Sequence, residues 1–263
     1  MDIPFKLVVE EQEAENYAPL VPEEDLLILP HKNKGLVVTR NWIWNYAQSL
    51  GVKFFWTFDD NIRVFIRLHK NQRIWLTSGN FLRAQEDFAE RWKNLAITGM
   101  QYRGFAPSTQ YRKPFIINTR VYSNMLIRTA IPFRNRGFYN DDTDLCLQVL
   151  KAGWCTILIS AFLIGKAATM TVRGGMTPHY QDDGRLEMAQ ELQRRHPDVV
   201  TIIKRWKRWQ HHVNYKPFKR NKLERDESYE YDKGVNNFGL SFQRVGGFDN
   251  ADKDEVLVEG LGR

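Results

Sequence analysis

The sequence predicts an α/β protein built on a mixed, mostly parallel sheet flanked by helices. Three observations carry that expectation. Short apolar runs rich in β-branched and aromatic residues recur at strand length, as over residues 26–29, 95–100 and 156–163. Segments of helical length and spacing lie between them, as over 36–50 and 80–92. Residues 26–29, a loop ending in Gly35, the helix 36–50 and the apolar run 53–58 also read as strand, loop, helix, strand. That is a βαβ unit, whose crossover requires parallel flanking strands. With 263 residues and 43% hydrophobic content, the chain can build a sizeable core as one large domain or two small ones.

Taken in order, residues 3–9 form a first strand and 11–20 a short polar helix. The strand 26–29 stops at Pro30, and Gly51 ends the helix 36–50. Residues 53–58, four of the six aromatic, suit a strand covered on both faces. Residues 63–68 and 73–77 read as a hairpin turned at Lys70-Asn71, and 80–92 as an amphipathic helix capped by Asn80. A strand over 95–100, a polar, aromatic-bearing loop over 101–114 and strands over 115–122 and 125–128 follow. Residues 139–153 open on acids that suit a helix start, with Asn140 or Asp141 as cap. After a strand over 156–163 come a Gly-rich loop, 171–185, and two closing helices, 184–195 and 197–206. The chain divides into a domain over 1–222 and an acidic tail or arm over 223–263, in which 235–245 is a docking candidate.

Composition narrows the function classes. No apolar run approaches the roughly 20 residues that span a bilayer, and residues 1–20 carry five acids and no signal-like apolar core. A cytoplasmic protein with no membrane partner is therefore expected. Cys146 and Cys155 lack metal-site spacing and read as reduced, packed thiols. The net charge is +7, and its distribution is uneven. Every charged residue over 204–222 is Lys or Arg, interleaved with Trp206, Trp209, Tyr215 and Phe218, whereas from 223 onward acids outnumber bases ten to five. The basic stretch suits a phosphate backbone with aromatics stacking on bases. It equally suits a solvated helix face with its tryptophans in the core. Adjacent His211 and His212 would not face one another on such a helix and read as surface, not a metal pair.

Two acidic clusters carry the chemistry. The first, Asp59-Asp60-Asn61, ends the apolar run 53–58. In open α/β sheets ligands bind at the carboxyl ends of strands, and adjacent hard oxygen ligands there suit a divalent metal carrying phosphates. A solvated turn is the plainer alternative. The second cluster is Asp141, Asp142 and Asp144, in the run YNDDTDLCLQVLKAG.

A Gly-ended basic loop, Arg40-Asn41 on a helix, a strand ending in acids, and a later acidic helix start with DLCLQVLKAG occur in that order. Together they resemble a nucleotide-sugar glycosyltransferase of the GT-A fold. The closer resemblance is to the phage and TET-associated DNA glycosyltransferases, which share phrases like LVVE-x-QE, RNWIW, DDNI and GG…Y…GR. It covers roughly residues 3–218. GT-A chains normally open with a strand and helix that help grip the uracil before a segment like IPFKLVVE. Here Met1 precedes that segment directly, so the expected fold is GT-A-like without its usual first βα unit.

The resemblance implies roles. A UDP-sugar donor and Mn²⁺ or Mg²⁺ are expected. Asp59 and Asp60 match the acidic metal motif, and Asn61 stands where its last acid would be, contributing an amide oxygen but no charge. Arg40 and Asn41 match the "RN" pair beside Gly35, with the Arg fork suited to a diphosphate or base. Asp141-Asp142 matches the "ED" pair, with Asp142 as catalytic base, since an acceptor hydroxyl needs a positioned carboxylate to take its proton. Asp141 or Asp144 orients acceptor or caps the helix. His179 lies where such enzymes often supply a histidine to the metal, and is otherwise an exposed loop residue. Gly174-Gly175, with Arg173 and Arg185 as charge partners, would let that loop close over the phosphates.

The implied acceptor is a hydroxymethylated pyrimidine in double-stranded DNA, as in phage DNA hypermodification. If the base must leave the stack, the loop 101–114, with Tyr102, Arg103, Phe105 and Tyr111, is a candidate wedge. A well-positioned Asp142 suits single displacement with inversion. Two other readings stand beside this one: a transferase acting on a protein, lipid or polysaccharide, and a non-catalytic DNA-binding module on the same fold.

Overall fold

The computed structural model describes residue 1 and residues 3–107, 113–166 and 184–229. It is a mixed α/β structure whose main sheet has seven strands. The strands are β3 (Phe54–Phe58), β4 (Ile62–His69), β5 (Gln72–Trp75), β6 (Leu95–Tyr102), β7 (Phe115–Ile117), β8 (Asn124–Arg128) and β9 (Cys155–Lys166). They lie in the order β3-β8-β6-β9-β4-β5, with β7 also on β9.

The sheet is not mostly parallel. Only β6 and β9 pair in parallel, and every other neighbouring pair in it is antiparallel. Two insertions account for this. β8 enters between β3 and β6 running the other way, and β4 with β5 forms a hairpin turned by Lys70 and Asn71, both at positive φ. The expected βαβ unit is also not built. β2 (Leu26–Ile28) pairs in parallel with β1 (Leu7–Val9) in a separate two-stranded sheet, while α2 (Leu36–Ser49) leads into β3, which pairs with β8.

One part of the parallel expectation survives where it matters. Because β8 is antiparallel to both β3 and β6, and β6 is parallel to β9, the strands β3, β6 and β9 all run in one direction. Their carboxyl ends therefore reach one edge, and the start of the reversed β8 arrives there too.

Helices cover both faces. α2 and α4 (Asp141–Lys151) pack on one, around Trp44, Ile97, Met125, Ile127, Leu145 and Val149. α3 (Asn80–Glu90) packs on the other, around Ala89, Leu95, Leu126, Ile157 and Ile159. Alternate residues of β8 thus enter opposite cores, which is why the strand is a continuous apolar run. Fully buried Trp44 donates its indole N–H to the Thr129 carbonyl at 3.1 Å. Both cysteines are free and buried, and burial pushes Cys146 up to about 12 and Cys155 up to about 11. Neither is a nucleophile near neutral pH.

Other elements differ from expectation in instructive ways. The polar segment over 11–20 is a broken helix, with only Ala14–Tyr17 (α1) fully α-helical before Pro19. Gly79, not Asn80, occupies the cap of α3, and the Ser78 hydroxyl accepts from the Asn80 N–H. The expected strand over 115–122 ends at Ile117, because Asn118 turns into positive φ.

The largest correction concerns residues 197–206. After α5 (Gly184–Arg195) the chain forms a hairpin, β10 (Val200–Arg205) and β11 (Arg208–Val213), where a helix was expected. The run VVTII favours a strand, since β-branched side chains fit a pleated surface better than a helix. His211 and His212 are neighbours on a strand and so point to opposite faces. The hairpin is rooted through Val200 and Val213 in a core shared with Leu147, Leu150 and Leu192. No helix among the described residues is long and apolar enough to cross a membrane.

Candidate active site

The shared edge of β3, β6, β8 and β9 is held open by one close approach. β6 and β8 pair only through Ile97–Ile127 and Thr98–Leu126. Beyond these, buried Asn124 replaces the ladder with its side chain, accepting from the Met100 N–H at 2.6 Å and donating to the Met100 carbonyl at 3.0 Å. The backbones touch there. A Cβ on Gly99 would lie 2.0 Å from the Asn124 carbonyl oxygen, so only glycine fits. The splayed ends leave room for side chains.

Asp59 follows β3 directly, and its N–H donates to the Ser123 carbonyl at 2.9 Å. Its carboxylate meets cations on both sides: the Arg40 guanidinium donates to Oδ1 at 3.0 Å, and the Lys166 ammonium lies 3.6 Å from Oδ2. Lys166, the last residue of β9, also donates to Ser123 Oγ at 3.0 Å and to the Tyr102 hydroxyl at 3.2 Å. Tyr102, the last residue of β6, shares a further hydrogen bond with Ser123. Burial raises its phenol far above the ordinary value, so the group remains a proton-bearing donor.

Arg40 joins this cluster to α4. Its other terminal nitrogen donates to Asp141 Oδ2 at 2.5 Å, and both side chains are almost wholly enclosed. Burial works against the guanidinium charge, but Asp141 and Asp59 outweigh it and raise the group further. Asp141, Asp142 and Asp144 occupy the first turn of α4, where the macrodipole favours negative charge. Asn140 precedes them in the left-handed region at φ 53° and anchors to the Met188 carbonyl at 2.9 Å.

The three aspartates of that turn have separate roles. Asp142 is pushed up to about 6, by burial first and the Asp141 carboxylate second, against the pull of Arg40. Its Oδ1 accepts from the Thr143 N–H at 2.6 Å and from the Thr143 hydroxyl at 3.2 Å. Oδ2 accepts nothing from the described residues. Asp144, fully buried, is structural: it takes bonds from His196 at 2.8 Å, Arg136 at 2.9 Å and Gln148 at 2.7 Å. Burial opposes its charge, but the His196 and Arg136 bonds together hold it below the ordinary carboxylate value.

The other sequence candidates divide clearly. Asn41 commits its amide to Asn135, donating to that carbonyl at 2.8 Å and accepting its N–H at 3.1 Å, and so fixes α2 to the loop before α4. Gly35 precedes α2 at φ 85°. Asp60 is exposed, and the buried Asn61 Oδ1 has no hydrogen-bond partner among the described residues. No cluster of three His, Cys, Asp or Glu that could hold a metal occurs among those residues. Arg173, Gly174, Gly175 and His179 lie outside them, as do Tyr111 and residues 235–245.

Lys166 and Ser123 are site residues that the sequence reading did not find. The rule that singled out Asp59, a polar residue at the carboxyl end of an apolar strand, applies equally to Lys166.

An open pocket of about 680 Å³, within the size range of small-ligand sites, is lined in part by Asn140, the residue before the acids of α4. Arg120 also lines it, and Phe105, Trp206, Trp209 and His211 supply its aromatic surface. Arg120 donates to His211 Nε2 at 3.4 Å. A guanidinium cannot accept, so this imidazole nitrogen is the acceptor. Burial and the neighbouring Arg120 push His211 down to about 4, so the ring is neutral at physiological pH.

The family model of the TET-associated glycosyltransferases matches residues 1–175. No curated protein and no solved structure matches the chain.

Proposed function

We propose that this chain, which belongs to the TET-associated glycosyltransferase family, moves a sugar from a UDP-sugar to a hydroxymethylated pyrimidine in double-stranded DNA, as in phage DNA hypermodification. The observation that carries the reading is Asp142: a carboxylate raised to about 6, with one oxygen uncommitted among the described residues, two positions along the chain from Asn140, which lines an aromatic, arginine-bearing pocket. A value near the working pH suits a general base.

The reaction balances as a single displacement. The hydroxymethyl oxygen attacks the anomeric carbon while Asp142 takes its proton. The bond from that carbon to the diphosphate breaks, and UDP leaves with the electron pair. Attack opposite to departure inverts the anomeric centre. Thr143 holds Oδ1 of Asp142, while the Asp141 carboxylate raises and the Arg40 guanidinium lowers the affinity of Asp142 for its proton. Lys166, Tyr102 and Ser123 offer donors along the same edge to the diphosphate oxygens. The GT-A assignment belongs to this proposal, supported by three co-directional strands that deliver their carboxyl ends to one edge.

Mn²⁺ or Mg²⁺ fits the residues present. Asp60 supplies an exposed carboxylate and Asn61 an orphaned, buried amide oxygen. A small hard cation needs only one or two protein oxygens when phosphates complete its shell. Such an ion supplies positive charge to the leaving diphosphate. Asp59 is the less suitable ligand, because Arg40 and Lys166 already neutralise it.

Nucleoside mass spectrometry tests the proposal. The protein, Mn²⁺ and a panel of UDP-sugars are incubated with DNA containing hydroxymethylcytosine or hydroxymethyluracil, beside unmodified DNA. A hexose or pentose mass on the modified base alone is the expected result. Donor hydrolysis without a mass gain would move the acceptor to a protein, lipid or polysaccharide. The absence of both signals would sink the enzyme reading.

A further inference from the structure

The tip of the β10–β11 hairpin is built against local preference. Trp206 and Lys207 form the two-residue turn, at φ 49° and φ 61°. Such turns favour Asn-Gly, because both positions need positive φ. A bulky tryptophan there is a strained choice, and strain of this kind points to a side chain wanted for its function. Trp206 is also 72% exposed, more than any other large apolar side chain among the described residues.

The surroundings indicate what the ring is for. Arg205 lies 4.4 Å over the Trp206 ring and steadies it. Lys204, Lys207 and Arg208 are exposed beside it. Arg205 and Arg208 sit directly opposite each other in the ladder, a like-charge pair that is unfavourable until an anion lies between them. The exposed ring lines the 680 Å³ pocket, whose lining also includes Asn140, next to the acids of α4.

We propose that the hairpin is a wedge for duplex DNA: Trp206 enters the base stack where a pyrimidine has left it, the flanking cations hold the phosphates, and the extruded base occupies the adjoining pocket. This rests on the reading of the acceptor given above and assigns to residues 200–213 the work of opening it. The C5 hydroxymethyl group of a stacked pyrimidine projects into the major groove, whereas Asp142 is only half-exposed at the start of α4, so turning the base out of the stack would bring the hydroxyl to the carboxylate. Stacking on an aromatic ring is indifferent to sequence, which suits a wedge that must work beside any neighbour. His211, uncharged and bonded to Arg120, gives the pocket a flat neutral wall against which a pyrimidine can lie.

Two readouts test the wedge. In a short duplex with 2-aminopurine beside hydroxymethylcytosine, the wild-type protein raises the fluorescence as the stack opens. Trp206→Asn, which suits the left-handed backbone and so keeps the hairpin, abolishes the rise while fluorescence anisotropy still reports binding. Trp206→Phe restores it. The ratio of sugar transfer on duplex to transfer on single-stranded DNA falls about tenfold in Trp206→Asn, the loss expected for one aromatic stack. A fluorescence rise as large in Trp206→Asn as in the wild type, or an unchanged ratio, would overturn the proposal. A rise by the wild-type protein without any sugar transfer would support the wedge and refute the transfer reaction, so the two failures are distinct.

Discussion

At the start of α4, Arg40 bridges Asp59 and Asp141, and burial with the Asp141 charge raises the adjoining Asp142. At the tip of the hairpin, Lys204, Arg205, Lys207 and Arg208 stand in solvent around an exposed tryptophan. The first region has little water to screen it, so a carboxylate can be driven to about 6 and an arginine held charged against burial. In the second, each charge is screened and weak alone, and the sum matters only to a polyanion. Proton transfer and capture of a long anion require opposite environments, and both kinds of environment occur in this chain, with Asn140 beside the acids and Trp206 at the hairpin tip lining one pocket.

The largest effect that would sharpen the contrast is on turnover. Asp142→Asn is expected to lower the transfer rate by about 10²–10⁴, the usual contribution of a general base, with DNA affinity measured by anisotropy little changed. Next is Arg40→Ala, which leaves Asp141 and part of Asp59 buried without their cation. A loss of about 3–5 kcal/mol is expected in urea unfolding, as for one partner removed from a buried pair. A value near that of a surface pair, below about 1 kcal/mol, would break the comparison.

A smaller effect comes from Asp144. Its folded value lies below the ordinary 3.8, so its stabilisation is complete above that value and is lost as pH falls through the lower native one. Unfolding followed from pH 7 into the acid should show this limb, and Asp144→Asn should remove it along with about 1.5–3 kcal/mol, the worth of a hydrogen bond to a charged group. The smallest effect on the fold belongs to the hairpin. Lys207→Ala with Arg208→Ala should alter unfolding by no more than about 0.5 kcal/mol per site. The same pair should reduce the salt slope of DNA binding by about one for each phosphate that the protein no longer neutralises.

Much of the site could be read from sequence because its positions follow local rules. Asp59 ends an aromatic strand, and the acids of α4 begin a helix, so both clusters are visible without any knowledge of pairing. Their union is not, since Arg40 reaches Asp141 across 101 residues and nothing local specifies that contact. The sheet's sense is hidden for a related reason. A strand, helix and strand imply a parallel crossover only if the two strands are neighbours, and here β8 lies against β3. The hairpin is concealed because its turn is Trp206-Lys207, which lacks the Asn-Gly signal that marks such turns. Without that signal, the basic run with its tryptophans has the look of an amphipathic helix. The feature that conceals the hairpin is the one that gives it an exposed ring.

The most direct test of the account is the pH dependence of single-turnover sugar transfer to hydroxymethylcytosine DNA, with Asp142→Asn measured alongside. A carboxylate base held at about 6 predicts a rate that falls as pH drops below that value in the wild-type protein, and a slow, flat profile in the variant. Equal rates in both proteins, or an acid limb that persists in Asp142→Asn, would contradict the assignment of Asp142 as the base.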